Sequence, residues 1–252
     1  MGKVGYILGC FLLGLILAFF VHTDIAQAAR GGGRGASISG DHAISLGASI
    51  IGTDQKDLNT AIAAANTSSN GPISSKNLSS AYEFYAQYIF RFSGSIYSFV
   101  FRPSYFMQSS TGSGTDGAYD YKLTGYTLFP MLRFYPLENP FMKFFLQVGV
   151  GWGQINADIT TGTGNTLAFD GSSFGGMAGL GVDFCFTGSQ CITIEGNVRY
   201  LPIERNVASS AAGTIVGIDN PMSKGSEVET QSKDLSTTLS GIQGIIGYTF
   251  NF

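Results

Sequence analysis

Residues 81–92 read AYEFYAQYIFRF. Side chains alternate between the two faces of an extended strand. Tyr82, Phe84, Ala86, Tyr88, Phe90 and Phe92 therefore share one face, and Glu83, Tyr85, Gln87, Ile89 and Arg91 share the other. One face is apolar over roughly 35 Å at ~3.3 Å per residue. The opposite face carries charges of both signs. Either the aromatic row is buried against a soluble core, or it looks outward into oil while the charges are enclosed.

The same period of two recurs along the chain, which is the signal for strands. A first strand, HAISLGASIIG, aligns Ile44, Leu46, Ala48 and Ile50. The third, SIYSFVFRPSYFM, sets Tyr97, Phe99, Phe101, Pro103 and Tyr105 against Ser98, Val100, Arg102 and Ser104. The fifth sets Phe144, Leu146, Val148, Val150 and Trp152 against Lys143, Phe145, Gln147 and three glycines. The sixth puts Ala178, Leu180, Val182, Phe184 and Phe186 opposite Asp183. The seventh opposes Ile192, Ile194, Val198 and Tyr200 to Thr193, Glu195, Asn197 and Arg199. The eighth, within 236–252, opposes Ile242, Ile246, Tyr248, Phe250 and Phe252 to Gln243, Thr249 and Asn251. In the fourth, Lys122, Thr124 and Tyr126 share a face while Arg133 falls on the other parity. A bulge near Pro130 would bring both cations to one side, since proline in strands favours bulges and edges.

The connectors alternate in length. Those after the second, fourth and sixth strands (93–95, 136–140, 187–190) are tight. Those after the first, third, fifth and seventh (53–80, 108–119, 157–171, 206–235) are longer and polar, the first holding a short turn of helix at TAIAAAN. Short turns at one end and long loops at the other are the pattern of an up-and-down barrel in a bacterial outer membrane. An eight-stranded lumen is just wide enough for ordinary side chains, too narrow for the aromatic faces. The apolar faces are therefore assigned to lipid and the charged faces to the interior.

Composition agrees. Charged residues are 12% of the 252-residue chain and aromatics 13%, against about 25% charged in an average soluble domain. The net charge of −3 leaves no basic footprint for nucleic acid. Residues 1–28 read as a secretory signal peptide: Lys3, the apolar run VGYILGCFLLGLILAFFV, then Ala26-Gln27-Ala28 as the cleavage site. An uncleaved anchor is the competing reading. Residues 29–41, with Arg30 and Arg34 among glycines, form a flexible periplasmic lead, and 42–252 the barrel. Past the signal only Cys185, Cys191 and His42 remain of their types.

At this point the chain resembles the bacterial eight-stranded outer-membrane barrels of the OmpW-like, OmpA-barrel-like and OmpX-like families. The resemblance rests on the strand pattern across 42–252, on LRFYPLENPFMKFFLQVGVGWG (132–153) and on the terminal YTFNF. It implies an integral protein of the outer membrane, in contact with its lipid and lipopolysaccharide. It also implies a C-terminal strand read by the barrel-assembly machinery, with Tyr248, Phe250 and Phe252 as signal and aromatic girdle. No peptidoglycan-binding domain follows the barrel, so a full-length OmpA-type protein is not expected. A monomer is the expected state.

The candidate site is the lumen, with Glu83, Arg91, Arg102, Lys122, Lys143, Asp183, Glu195 and Arg199 as a polar network. Enclosed charges are costly unless paired, so the network reads first as a wall-stabilising plug and second as a solute path. A turn at 187–189 would place Cys185 opposite Cys191 for a cross-strand disulfide. Gly149, Gly151 and Gly153 lie within a strand and make room for bulky neighbours; they are no nucleotide loop. No catalytic residue, metal site or cofactor is expected. Three functions follow: a non-enzymatic barrel that stabilises the envelope or passes small, apolar solutes; a surface adhesin acting through loops 53–80 and 206–235; and, least supported, a lipid-modifying enzyme using His42.

Overall fold

The structure is a computed structural model that describes residues 42–67, 74–92, 95–115, 117–219 and 223–252. The expected signal peptide and lead lie outside the described residues. Eight long strands follow in chain order: β1 (His42–Gly52), β2 (Ser80–Arg91), β3 (Tyr97–Gly114), β4 (Gly117–Glu138), β5 (Met142–Thr160), β6 (Thr166–Cys185), β7 (Gln190–Tyr200) and β8 (Gly241–Asn251). Each pairs antiparallel with the next. β8 returns to β1 in register from Ala43↔Asn251 to Gly52↔Ile242. The ring is closed, so no strand edge faces lipid, where unpaired backbone groups would cost several kcal/mol each.

The alternation read from the sequence sets the two faces. Outward positions carry large apolar side chains in the open: Val150 and Ile242 are each 72% exposed. Inward positions carry Glu83, Gln87, Arg102, Glu195 and Arg199, all buried. Glycines on β5 yield interior space to neighbours on β4. A Cβ on Gly151 would lie 2.5 Å from a ring carbon of Phe129, and one on Gly149 would lie 2.5 Å from Met131 Cγ.

Strand height is uneven. β1, β2, β7 and β8 have 11 or 12 residues, close to the roughly 9–11 that a tilted crossing requires. β3 to β6 have 18 to 22 and project beyond it. Along β4, β5 and β6 the two faces exchange character without any change of parity. Low on β4, Tyr126, Leu128 and Leu132 point out and Thr127 and Arg133 point in; higher up, Asp120 and Lys122 point out and Tyr119, Tyr121 and Leu123 point in. On β5, Val148 and Val150 point out opposite Gln147, but Asp158 points out opposite the buried Ile155, Ala157 and Ile159. On β6, Leu167 and Phe169 are buried above and Asp183 below. Outside the belt the surrounding medium is water, so the hydrophobic face turns inward as in a soluble sheet.

A cap fills this outer cup. It comprises helix α1 (Lys56–Asn66) and the segment 201–240 with its short strands. Val207–Ala212 extends the wall by pairing with β6. Leu58, Ala61, Ile62 and Ala65 of α1, with Leu201, Ile203, Leu235 and Leu239, join the inward residues of β3 to β6 in one buried apolar cluster.

Three expectations are corrected here. Lys122 is exposed on the outer wall, not in the lumen, and Arg133 takes an inward place with no side chain left over. No register shift occurs near Pro130 in the β3–β4 pairing, and the β4–β5 irregularity lies between Phe134 and Leu137. The polar stretches 108–119 and 157–171 are mostly strand, ending in short turns, and not long loops.

Candidate functional site

The middle of the lumen is organised around Glu195 of β7. Its carboxylate accepts hydrogen bonds from Arg102 Nη2 at 2.6 and 2.8 Å, from Arg133 Nη2 at 3.0 Å and from Gln147 Nε2 at 3.0 Å. The two guanidiniums are fixed in turn. Gln87 Oε1 accepts from Arg102 Nε and Nη2, and Gln147 Oε1 accepts from Arg133 Nε and Nη2. Arg102 lies 4.8 Å over the Tyr85 ring and Arg133 3.7 Å over that of Phe145. These residues come from β2, β3, β4, β5 and β7, so the cluster crosses the barrel. Arg102, Arg133 and Gln147 are each at most 4% exposed.

Toward the long-loop end, Arg199 Nη1 pairs with Glu83 Oε2 at 2.7 Å, and Arg199 Nε donates to the Leu239 carbonyl at 2.6 Å. Gln243 Nε2 donates to Glu83 Oε1 and to Ser49 Oγ. The Leu239 bond ties the ionic lumen to the cap above it.

The cap is pinned by amide side chains that imitate a paired strand. Gln55 donates to the Thr238 carbonyl at 2.7 Å and accepts from its N–H at 3.0 Å. Asn59 makes the same reciprocal pair with Leu78, and Asn66 with Ser75. Asp57 Oδ2 accepts from the N–H and hydroxyl of Ser236. On the upper part of β4, beneath the cap, burial pushes the Tyr121 phenol up to about 12.

At the short-turn end, Arg91 makes a bidentate pair with Glu138 at 2.6 and 2.8 Å, and Lys143 Nζ lies 3.7 Å from the same carboxylate. Thr193 donates to Asp183 at 2.6 Å. A small polar recess opens here, bordered by His42, Arg91, Ser98, Lys143, Asp183 and Asn251 among others. His42 Nδ1 is 2.6 Å from the Tyr88 hydroxyl, and its ring sits among Phe90 and Phe252. Cys185 and Cys191 face each other across the β6–β7 turn and are joined by a disulfide. Tyr248, Phe250 and Phe252 are partly exposed on the outer wall near the same end, with Phe186 against Tyr248 and Phe250 against Phe252.

Glu83, Arg102, Lys143, Asp183, Glu195 and Arg199 thus line the interior, Arg91 stands at its rim, and Lys122 is outside. Arg133 and the glutamines 87, 147 and 243 complete the network. Among the described residues no group of three or more His, Cys, Asp or Glu side chains could hold a metal ion.

No protein-family profile and no curated protein matches the chain. Solved structures do. The outer membrane protein OprG from Pseudomonas aeruginosa aligns over 85% of this chain and 96% of its own at 13% identity, with a TM-score of 0.52. A major outer membrane protein from Thermus thermophilus aligns over 83% and 99% at 10% identity, with a TM-score of 0.50. At such identities the likeness is one of fold. The closed ring, the lipid-facing belt and these neighbours together define the class: an eight-stranded β-barrel integral to the bacterial outer membrane.

Proposed function

We propose that the protein is a non-enzymatic, closed barrel that contributes to the outer membrane as a sealed and mechanically stable element, not as an open pore. The observation that carries this reading is that the lumen is filled twice over. The Glu195 cluster occupies the middle, and the apolar cap stands above it. An ion would have to displace two guanidiniums that each have fixed partners, then cross a buried, mainly apolar cluster. The cap also supports this reading over one in which 53–80 and 206–235 are free adhesive loops, because Leu58, Ala61, Ile62, Ile215, Ile218, Val228 and Leu235 of these segments are buried inward, sealing the cup. His42 borders the polar recess, but its Nδ1 is engaged by the Tyr88 hydroxyl and its ring is held among aromatic rings, which supports a structural use of this side chain over a catalytic one.

Planar-bilayer recording of the refolded protein tests it. The intact chain should give no discrete conductance steps. A variant in which a short linker replaces 204–236 should conduct if the ionic cluster alone is an incomplete seal. Reproducible unitary currents from the intact protein would overturn the proposal in favour of a solute passage.

A further inference from the structure

The disulfide has a place in the order of assembly. Both cysteines are on the inward face, with Cys185 4% and Cys191 1% exposed. Neither borders the polar recess at that end. The hairpin carrying them is clamped from both sides. The Cys185 N–H donates to the Phe141 carbonyl at 2.8 Å, and the Asn251 N–H to the Ser189 carbonyl at 2.7 Å. Thr249 of β8 is the register partner of Cys191, and Asn251 Nδ2 lies 3.5 Å from Cys191 Sγ. β8 is the strand that closes the ring, on one side against β7 and on the other against β1. Its arrival covers Cys191.

Thiol–disulfide exchange requires a thiolate to reach one sulfur and form a mixed disulfide. In the closed barrel neither cysteine is more than 4% exposed, too little for a protein oxidant to approach. The two cysteines are six residues apart, so they can meet within an isolated β6–β7 hairpin before any distant strand is in place.

We propose that the Cys185–Cys191 bond is made on the open chain and that barrel closure then seals it. The preceding reaction is oxidation by a dithiol–disulfide oxidant of the export compartment, where disulfides form. One cysteine thiolate attacks the oxidant's disulfide, displacing one of its thiolates. The second cysteine then attacks the mixed disulfide, so the chain gains a disulfide and the oxidant leaves as a dithiol, two electrons and two protons having passed to it. This order rests on the fold and does not depend on whether the barrel conducts.

The test uses the full mature chain in detergent micelles, with the folded state scored by heat-modifiable gel migration. Oxidised protein, folded or unfolded in urea, is treated with dithiothreitol and the released thiols are trapped by alkylation. Reduction of the folded form should be slower by roughly a hundredfold or more, because it must wait for partial opening. Chain reduced while unfolded is then refolded and exposed to diamide. The folded fraction should remain a dithiol, whereas unfolded chain oxidises; a reduced chain unable to fold would equally place the bond before closure. Reduction of folded and unfolded forms at similar rates, or ready oxidation of a folded dithiol, would overturn the proposal.

Discussion

Replacing Glu195 by glutamine probes the centre of the lumen while keeping its shape. The carboxylate serves Arg102 and Arg133 at 2.6 to 3.0 Å, and all three side chains are at most 2% exposed. Glu195→Gln leaves two guanidiniums buried without a counter-charge. Removing one member of a buried ion pair costs about 3–5 kcal/mol. Because two cations lose the same partner, about 5 kcal/mol is expected, more than a thousandfold in the folding equilibrium. The rim supplies a control: Arg91 and Glu138 are 23% and 28% exposed, and Glu138→Gln should cost about 1 kcal/mol or less after solvent screening. Urea titration of protein inserted into lipid vesicles, followed by tryptophan fluorescence and gel migration, gives both numbers. A double variant Glu195→Gln/Arg133→Gln should cost less than the sum of its parts, since residues in one network couple by about 0.5–3 kcal/mol. The reasoning fails if Glu195→Gln shifts stability by no more than Glu138→Gln does.

Three further outcomes follow from the geometry. Lys122→Gln should change stability by about 0.5 kcal/mol or less in the same titration, as befits an exposed side chain away from packing; a loss of several kcal/mol would return Lys122 to the lumen. Gln231 and Ser232 form the two-residue turn between the pairs Thr230↔Lys233 and Glu229↔Asp234, with φ of 52° and 60°. Such a turn favours Asn-Gly, so Ser232→Gly should relieve roughly 1–2 kcal/mol of left-handed strain against roughly 0.5–1 kcal/mol of added unfolded-chain entropy, a small net stabilisation of the cap read as slower proteolysis within 223–236. The raised Tyr121 phenol favours the folded cap fully below its ordinary value near 10, and that contribution is lost as pH rises through about 12. In alkaline difference absorbance the late-titrating fraction should shrink by one tyrosine in Tyr121→Phe, while an unchanged titration curve would remove Tyr121 from the apolar cluster.

The barrel was legible because each short strand meets a single medium on each side. In β2, β7 and β8 every outward position except Gln190, at the turn end of β7, is apolar or small, so parity alone gives the inward set: Glu83, Glu195, Arg199 and Gln243. The disulfide was legible for a related reason, since a three-residue turn at 187–189 fixes the register that opposes Cys185 to Cys191. Arg133 was misread although the signal was present. Tyr126, Leu128 and Leu132 form an apolar even-numbered row on β4, and that row alone sends Arg133 inward with no bulge. The conflict came from Lys122, which was placed by its charge and not by its neighbours.

That conflict has a physical source in the height of β3 to β6. A rule that enclosed faces are charged and open faces are oily holds only where lipid surrounds the strand. Above Tyr126 on β4 and Trp152 on β5 the outside is water, and the sign of the rule reverses while parity continues. Lys122, Asp120 and Asp158 then belong outside for the same reason that Leu128 and Val150 do lower down: each faces the medium that solvates it. The reversal also explains why 108–119 and 157–171 look like loops. Their outward faces are polar and rich in Ser, Thr and Gly; inward, Gln108 and Ser110 are polar as well, and Tyr119, Ile159, Leu167 and Phe169 gain a purpose only once α1 and 201–240 are packed against them. Those partners lie more than a hundred positions away in sequence, as Tyr119 and Leu239 of the one cluster do, so no local window contains the reason for the pattern. The place where the hydrophobic face changes sides is therefore the outer boundary of the membrane, and it can be read from a tall strand as the point where apolar parity switches.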